Sequence, residues 1–188
     1  MKSFEEILII TGGLGHIGSS LFRSLQNNNR FIIVNDNLSS ERFCSTFDYH
    51  LKHNIKFIFG DIREKQFETS VIDFCKNIDY KKITIIHLAA ITDAASSFDK
   101  ADKVKKNNLN GTRAVIELAN SLNANLIFPS STSVYGDNSE LVTEKSKLFP
   151  QSPYAESKIS EEEIIQKYKK SIILRLGTIV GPSQGMRF

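Results

Sequence analysis

Cysteine is scarce: only Cys44 and Cys75 occur in 188 residues. With no C-x-x-C spacing between them, they exclude a disulfide framework and a redox pair, and they read as the reduced thiols of a cytoplasmic protein. Long apolar runs are missing as well, and none approaches the roughly 20 residues of a membrane span. Residues 1–6 carry acids and no apolar region, which excludes a signal peptide there. Charge of one sign is nearly balanced, since the net +3 is the remainder of 24 basic and 21 acidic side chains spread along the chain. The densest basic runs, 100–106 and 167–170, fall on expected helices with no aromatic residues among the lysines. They read as solvated helix faces rather than a nucleic-acid footprint. His50 and His53 stand at an i, i+3 spacing without any further ligand pattern, so they read as surface histidines and no metal is expected. Neither an internal repeat nor a low-complexity tract interrupts the chain.

What is present is the composition of an ordinary globular domain, 40% hydrophobic and 24% charged. Short apolar runs at 7–11, 31–34, 55–59, 83–87, 125–128 and 172–176 alternate with helical patterns at about 16–27, 64–78, 102–122 and 153–169. Near-continuous apolar strands separated by helices require crossover connections and burial on both faces. The fold class expected is α/β: a Rossmann-type doubly wound parallel sheet with helices on both faces, one domain over residues 1–188. His87 is expected to pack at the end of a buried strand. The polar stretch 135–152, with Gly136 and Pro150, is long for a connection inside a compact domain and is expected to be functional.

The first strand runs into Thr11-Gly12-Gly13-Leu14-Gly15-His16-Ile17-Gly18, which satisfies G-x-G-x-x-G from Gly13 and G-x-x-G-x-x-G from Gly12. Such glycines permit a tight turn and close approach of backbone to a pyrophosphate, and the helix behind them offers unpaired N–H groups. Asp36 follows the second strand, where a carboxylate can accept from ribose hydroxyls and repel a 2′-phosphate; the neighbouring basic residue comes only at Arg42. That favours NAD over NADP. Read alone, Asp36 is equally a loop cap. Asp61 and Leu88-Ala89-Ala90 end later strands on the same sheet edge. Ser131 ends the fifth strand, and Tyr154 and Lys158 share a helix face at i, i+4. A nearby ammonium stabilises phenolate, so Tyr154 is expected to titrate below its ordinary value and serve as a base, with Ser131 bonding the reacting oxygen.

On these residues, together with Asp36-Asn37-Leu38, Gly60-Asp61-Ile62, the Asn107 to Thr112 segment, the 130–136 segment and the Arg175 to Pro182 segment, the chain resembles the extended short-chain dehydrogenase/reductase superfamily. Within it the likeness is to the NAD-dependent epimerase/dehydratase group typified by UDP-glucose 4-epimerase. The resemblance implies NAD as cofactor: Gly12, Gly15, His16, Ile17 and Gly18 at the pyrophosphate, Asp36 and Asn37 at the adenosine ribose, Asp61 and Ile62 beside adenine, and Leu88, Ala89 and Ala90 along the cofactor. Asn107 is implied near the active site, and Ser131, Tyr154 and Lys158 as the catalytic set, with Tyr154 and Lys158 also touching the cofactor. It further implies a nucleotide-sugar substrate and leaves room for a homodimer. Two departures stand out: the sequence ends at Phe188, where a C-terminal substrate domain is expected to be absent, and Gly177 stands where some relatives carry an aromatic residue. The leading expectation is therefore the cofactor half of a sugar-nucleotide epimerase or dehydratase. A catalytically silent NAD-binding sensor or docking module, and a simple NADP reductase, remain as alternatives.

Overall fold

The apolar runs pair side by side as six parallel strands in the order β3-β2-β1-β4-β5-β6. The computed structural model describes residues 3–26, 29–47, 49–50, 52–92, 101–137 and 141–182, without the side chains of 43 and 44. Lys100 and the Cys44 side chain lie outside these residues, as do the residues after Pro182. The elements are β1 (Ser3–Thr11), α1 (His16–Ser24), β2 (Arg30–Asp36), β3 (Ile55–Phe59), α2 (Lys65–Lys76), β4 (Asp79–His87), α3 (Ala101–Ser121), β5 (Asn125–Ser131), α4 (Pro153–Ile165) and β6 (Ser171–Leu176). This is the doubly wound arrangement read from the pattern. From β1 the chain winds outward through β2 and β3, then crosses back to build β4, β5 and β6 on the other side. The C-terminal ends of β1 and β4 diverge at that reversal, where open sheets of this kind take their ligands.

Side chains alternate across the strands, so β1 sends Ile7 and Ile9 to one face and Leu8 and Ile10 to the other. The first face is covered by α2, α3 and α4 through Phe67, Val71, Val115, Leu118, Ala119 and Ile165. Among the described elements α1 is the only helix on the second face, where Phe22 packs with Leu14, Ile32 and Val34 and takes Tyr49 and Phe57 edge-on. The two faces are therefore unequal. Beyond β5 no described helix covers the second face, and Ile172 and Leu174 of β6 are exposed. No helix among the described residues is long and apolar enough to cross a membrane. Cys75 lies on the buried face of α2, where loss of water pushes its thiol up to about 11 and keeps it protonated.

Several boundaries differ from the sequence pattern, and for β1, β4 and α4 the reason is tertiary. β1 and β4 begin earlier than their apolar runs, because Ser3, Phe4 and Glu6 pair with Asp79, Tyr80 and Lys82. Opposite charges on these polar ends meet across the strands, Lys81 with Glu5 at 2.7 Å and Lys82 with Glu6 at 3.6 Å. α4 stops at Ile165 instead of about 169, so the basic run 167–170 lies in a turn and not on a helix. The turn lets the Tyr168 hydroxyl donate within reach of two carbonyls at the end of α3, Ala124 at 2.5 Å and Ala119 at 3.1 Å. α1 likewise ends at Ser24, short of the expected 27.

One acid locks the opening strands together. Buried Glu6 accepts from the Arg30 guanidinium of β2 (2.8 Å) and from the Thr84 hydroxyl of β4 (2.6 Å). Burial pushes its carboxyl up, but the Thr84 and Arg30 bonds and the Arg30 and Lys82 charges together hold it below its ordinary value of 4.5. A carboxylate with a depressed folded-state pKa adds stability above its unfolded value and loses it as pH falls through the folded one. Glu6→Gln is therefore expected to unfold at lower urea than the wild type at pH 7. The gap should narrow as pH drops below about 4.5, and a gap that is constant from pH 7 to pH 3 would deny Glu6 this role.

Candidate functional site

The glycine turn is built by contact between two backbones. Gly12 has φ +65°, and a Cβ there would lie 2.7 Å from the Ala89 nitrogen at the end of β4. At Gly18 a Cβ would meet the Gly13 Cα at 2.6 Å, so α1 can start only where it does if both positions lack side chains. No side chain among the described residues caps α1 at Gly15, which leaves its first N–H groups facing outward. By contrast α4 is capped by Ser152, whose hydroxyl accepts from the Ala155 amide at 3.1 Å.

In front of this turn lies a groove of about 580 Å³. Gly12, Gly15, His16, Ile17 and Gly18 form its floor, Asp36 and Asn37 one end, Asp61 and Ile62 a wall, and Leu88, Ala89, Ala90 and Asn107 the other side. The structure thus gathers into one cleft residues that are far apart in sequence, from Gly12 to Asn107. Ser39, Ser40, Arg42, Arg63 and Lys103 also border it and were not singled out from the sequence. The Arg42 guanidinium lies over the turn, 3.4 Å from where a Gly15 Cβ would be. Its only signal in the sequence was its place shortly after Asp36. An open cleft with uncapped amides at its floor and several cations at its rim suits a phosphate-bearing ligand.

Asp36 holds the turn in place. Its Oδ2 accepts from the Leu14 amide (3.0 Å) and its Oδ1 from the Leu38 amide (2.9 Å), each oxygen keeping a further lone pair. Asp61 is gripped by Arg63 through bonds of 2.8 Å and 2.5 Å, and this pairing, against the opposing effect of burial, holds its carboxyl down to about 2. Asn107 lines the groove, but its neighbour Asn108 does the structural work. The buried Asn108 amide bridges both backbone groups of Ile91 and reaches Ser157 of α4 at 3.3 Å. A run of Asn107-Asn108 in sequence gave no means of telling the two apart.

Ser131, Tyr154 and Lys158 come together beside the groove and are not part of its lining. Ser131 ends β5, its hydroxyl accepting from the Ser133 amide (3.1 Å) and the Ser133 hydroxyl (2.8 Å), and it bears on Tyr154 in the first turn of α4. Lys158 is 3% exposed, with Nζ 4.5 Å from the Phe128 ring centroid and 5.9 Å from that of Tyr154. One expectation is overturned here. The Tyr154 phenol is pushed above its ordinary value, first by burial and then by the Glu161 carboxylate, with only the Ser131 bond pulling it back. The Lys158 ammonium, meant to lower it, is engaged elsewhere, 3.2 Å from Glu161 Oε2.

Behind this cluster the connection 135–152 is tied down by Arg175. Its guanidinium pairs with buried Glu162 (2.7 Å) and donates to the Tyr135 hydroxyl oxygen at 2.9 Å and to the Glu144 carbonyl at 3.2 Å. Gly136 (φ +69°) turns the chain so that the Phe149 amide reaches the Val134 carbonyl at 3.0 Å. His50 and His53 are exposed, and no group of three or more His, Cys, Asp or Glu side chains suited to a metal occurs among the described residues.

Comparison with known proteins adds to this geometry. A family model described as the NAD dependent epimerase/dehydratase family matches residues 8–188. A dTDP-D-glucose 4,6-dehydratase of Dictyostelium discoideum is 33% identical, the alignment covering 96% of this chain and 45% of that protein. A bifunctional UDP-glucose 4-epimerase and UDP-xylose 4-epimerase of Pisum sativum is 28% identical over 91% of this chain and 50% of its own length. Among solved structures, a UDP-glucuronic acid 4-epimerase from Bacillus cereus in complex with UDP-glucuronic acid and NAD superposes with a TM-score of 0.77 at 27% identity. It covers 90% of this chain, which covers 55% of it. The chain spans about half the length of the curated relatives it matches.

The two amide bonds to Asp36 make a structural claim of their own. Asp36→Ala is expected to lower stability by about 1–3 kcal/mol, the usual cost of stranding buried backbone donors. Urea unfolding that shows no loss would mean that the turn holds itself.

Proposed function

Because the chain belongs to the NAD dependent epimerase/dehydratase family, we propose that residues 8–188 form the NAD-binding part of a nucleotide-sugar epimerase or dehydratase, with Tyr154, Lys158 and Ser131 as its acid–base set. The observation that carries this reading is the groove: a backbone-lined turn at a strand reversal, opening beside a tyrosine–lysine–serine cluster. The residues present fit the dinucleotide. Gly12, Gly15 and Gly18 leave space that any Cβ would fill, and the start of α1, with no side-chain cap at Gly15, brings His16 and Ile17 to the groove where a pyrophosphate would lie. Asp36 keeps a lone pair on each oxygen for the ribose hydroxyls beside Asn37, while Asp61 and Ile62 flank the adenine. Leu88, Ala89, Ala90 and Asn107 line the path toward the nicotinamide end.

NAD supplies the hydride acceptor and later the hydride donor. The protein's part is the proton. Ser131, at the end of β5, bonds the reacting sugar oxygen and holds it beside Tyr154. As phenolate, Tyr154 takes the hydroxyl proton while hydride leaves the same carbon, and as phenol it gives the proton back when the hydride returns. Lys158 supplies the positive charge that stabilises the phenolate in that step. The buried environment keeps water from competing for the proton. A ketone formed this way permits either epimerisation or elimination at neighbouring carbons, so the two reactions share this half of the machinery.

Two tests follow. Asn37→Arg, alone and with Asp36→Ala, is expected to shift the NADP-to-NAD affinity ratio toward NADP by about tenfold or more, the weight of one charge-assisted pair. Calorimetry giving an unchanged ratio for both would remove this loop from the adenosine ribose. In a chain long enough to turn over UDP- or dTDP-sugars, Tyr154→Phe should keep NAD affinity and thermal stability but lose at least about a hundredfold in kcat, the usual scale for a missing acid–base group. Full turnover by that variant would dismiss Tyr154, and NAD binding with no turnover by any form would favour a sensor or docking module.

A further inference from the structure

A line of polar groups that the proposed chemistry does not use runs underneath the cluster. It crosses four elements: Thr11 ends β1, His87 ends β4, Thr112 lies in α3, and Glu161 lies in α4 one turn beyond Lys158. The Ala89 amide, at the edge of the groove, reaches Thr11 Oγ1 at 3.3 Å, and Thr11 Oγ1 lies 2.8 Å from His87 Nδ1. His87 Nε2 lies 3.3 Å from Thr112 Oγ1, which lies 2.7 Å from Glu161 Oε1. All four side chains are buried. A carboxylate can only accept, so Thr112 gives its one proton to Glu161 and must accept from Nε2–H, and a neutral imidazole with its proton there can only accept at Nδ1. Thr11 donates to Nδ1, Nε2–H donates to Thr112, and Thr112 donates to Glu161. His87 is then the neutral Nε2–H tautomer. Burial and then the Lys158 charge press its imidazole down to about 3, which keeps it neutral.

Glu161 is thus the terminus of a one-way chain, and its second oxygen takes no well-formed hydrogen bond. Oε2 faces Lys158 Nζ at 3.2 Å as a bare ion pair. Such a pair inside a protein contributes little net stability against apolar packing, because both charges must be dehydrated. Its weight lies in where it holds the ammonium. We propose that Glu161 is a positioning residue of the candidate active site, whose buried carboxylate, anchored through Thr112 and His87 to the rim of the cofactor groove, draws the Lys158 ammonium off the Tyr154 phenol. This rests on the reading of Tyr154 and Lys158 as the catalytic pair. It makes the tyrosine a proton holder in the unliganded chain, and the lysine a group that must exchange one anionic partner for another before the phenol can act as a base.

The groups that bear on Tyr154 among the described residues are few. Lys158 and Glu161 approach it from its own helix, Ser131 from β5, and His87 of β4 lies behind Lys158 as a neutral ring. Glu162 is committed to Ser130 and Arg175. The test is a phenol titration by NMR on the 188-residue chain labelled at tyrosine Cζ, with the Tyr154 signal assigned by Tyr154→Phe. In Glu161→Gln the Tyr154 titration is expected to move to lower pH while Tyr168 stays in place, and Glu161→Asp, which keeps the charge, should return it toward the wild-type position. A Tyr154 titration that is unmoved in folded Glu161→Gln overturns the proposal. The wild-type chain provides a second reading that needs no variant to fold. Imidazole nitrogen shifts should report His87 as neutral with its proton on Nε2 at neutral pH, and a proton on Nδ1 would reverse the chain and overturn the proposal. Neither measurement involves NAD or a sugar, so a chain that binds neither would sink the proposed function while leaving the effect of Glu161 on Tyr154 readable.

Discussion

The architecture depends on one close approach, the Gly12 backbone lying against the Leu88–Ala89 backbone where β1 and β4 part. No side chain can stand between them. From that contact the turn must be glycine, the end of β4 must be small, and α1 must begin at once with its amides uncovered. The groove is what remains when two strands end side by side and neither carries bulk across the gap. Asp36 then fixes the turn from the β2 side, so that three neighbouring strands meet at one ligand-sized opening.

Charge is distributed by a second rule. Besides Asp36, three glutamates are buried among the described residues, and each takes a hydroxyl from another element together with a cation: Glu6 with Thr84 and Arg30, Glu161 with Thr112 and Lys158, Glu162 with Ser130 and Arg175. Isolated, any of these carboxylates would be strongly unfavourable in the interior. Paired, they join elements that apolar packing alone would allow to slide. The bonds around Arg175 tie Tyr135 and Glu144, both in the connection after β5, to Glu162 of α4.

The sheet and the glycine turn were legible because they depend on short-range pattern. An apolar run such as 7–11 or 83–87 states its burial directly, and a turn between strand and helix states its glycines. The polar beginnings of β1 and β4 were not legible, since only their pairing with each other makes them strands. The end of α4 was hidden for a similar reason, because the turn there is made by Tyr168 reaching α3. The Tyr154–Lys158 spacing was readable, but its electrostatics were not. The run Glu161-Glu162-Glu163 reads as a solvated acidic face, and only the packing of α4 against α3 and β5 shows that its first two members point inward. A tyrosine expected to titrate low consequently stands high.

The pairing of β1 with β4 places Thr11 opposite His87, the last matched residues of that ladder. A strand shifted by one residue would turn Thr11 to the opposite side of the sheet and offer His87 an isoleucine or a glycine in its place. The imidazole would then lose its only donor at Nδ1, and the thread to Glu161 would end unanchored. Strand alignment and proton placement are therefore one and the same choice in this molecule. A chain that pairs its central strands out of step has lost its acid–base wiring before any ligand arrives.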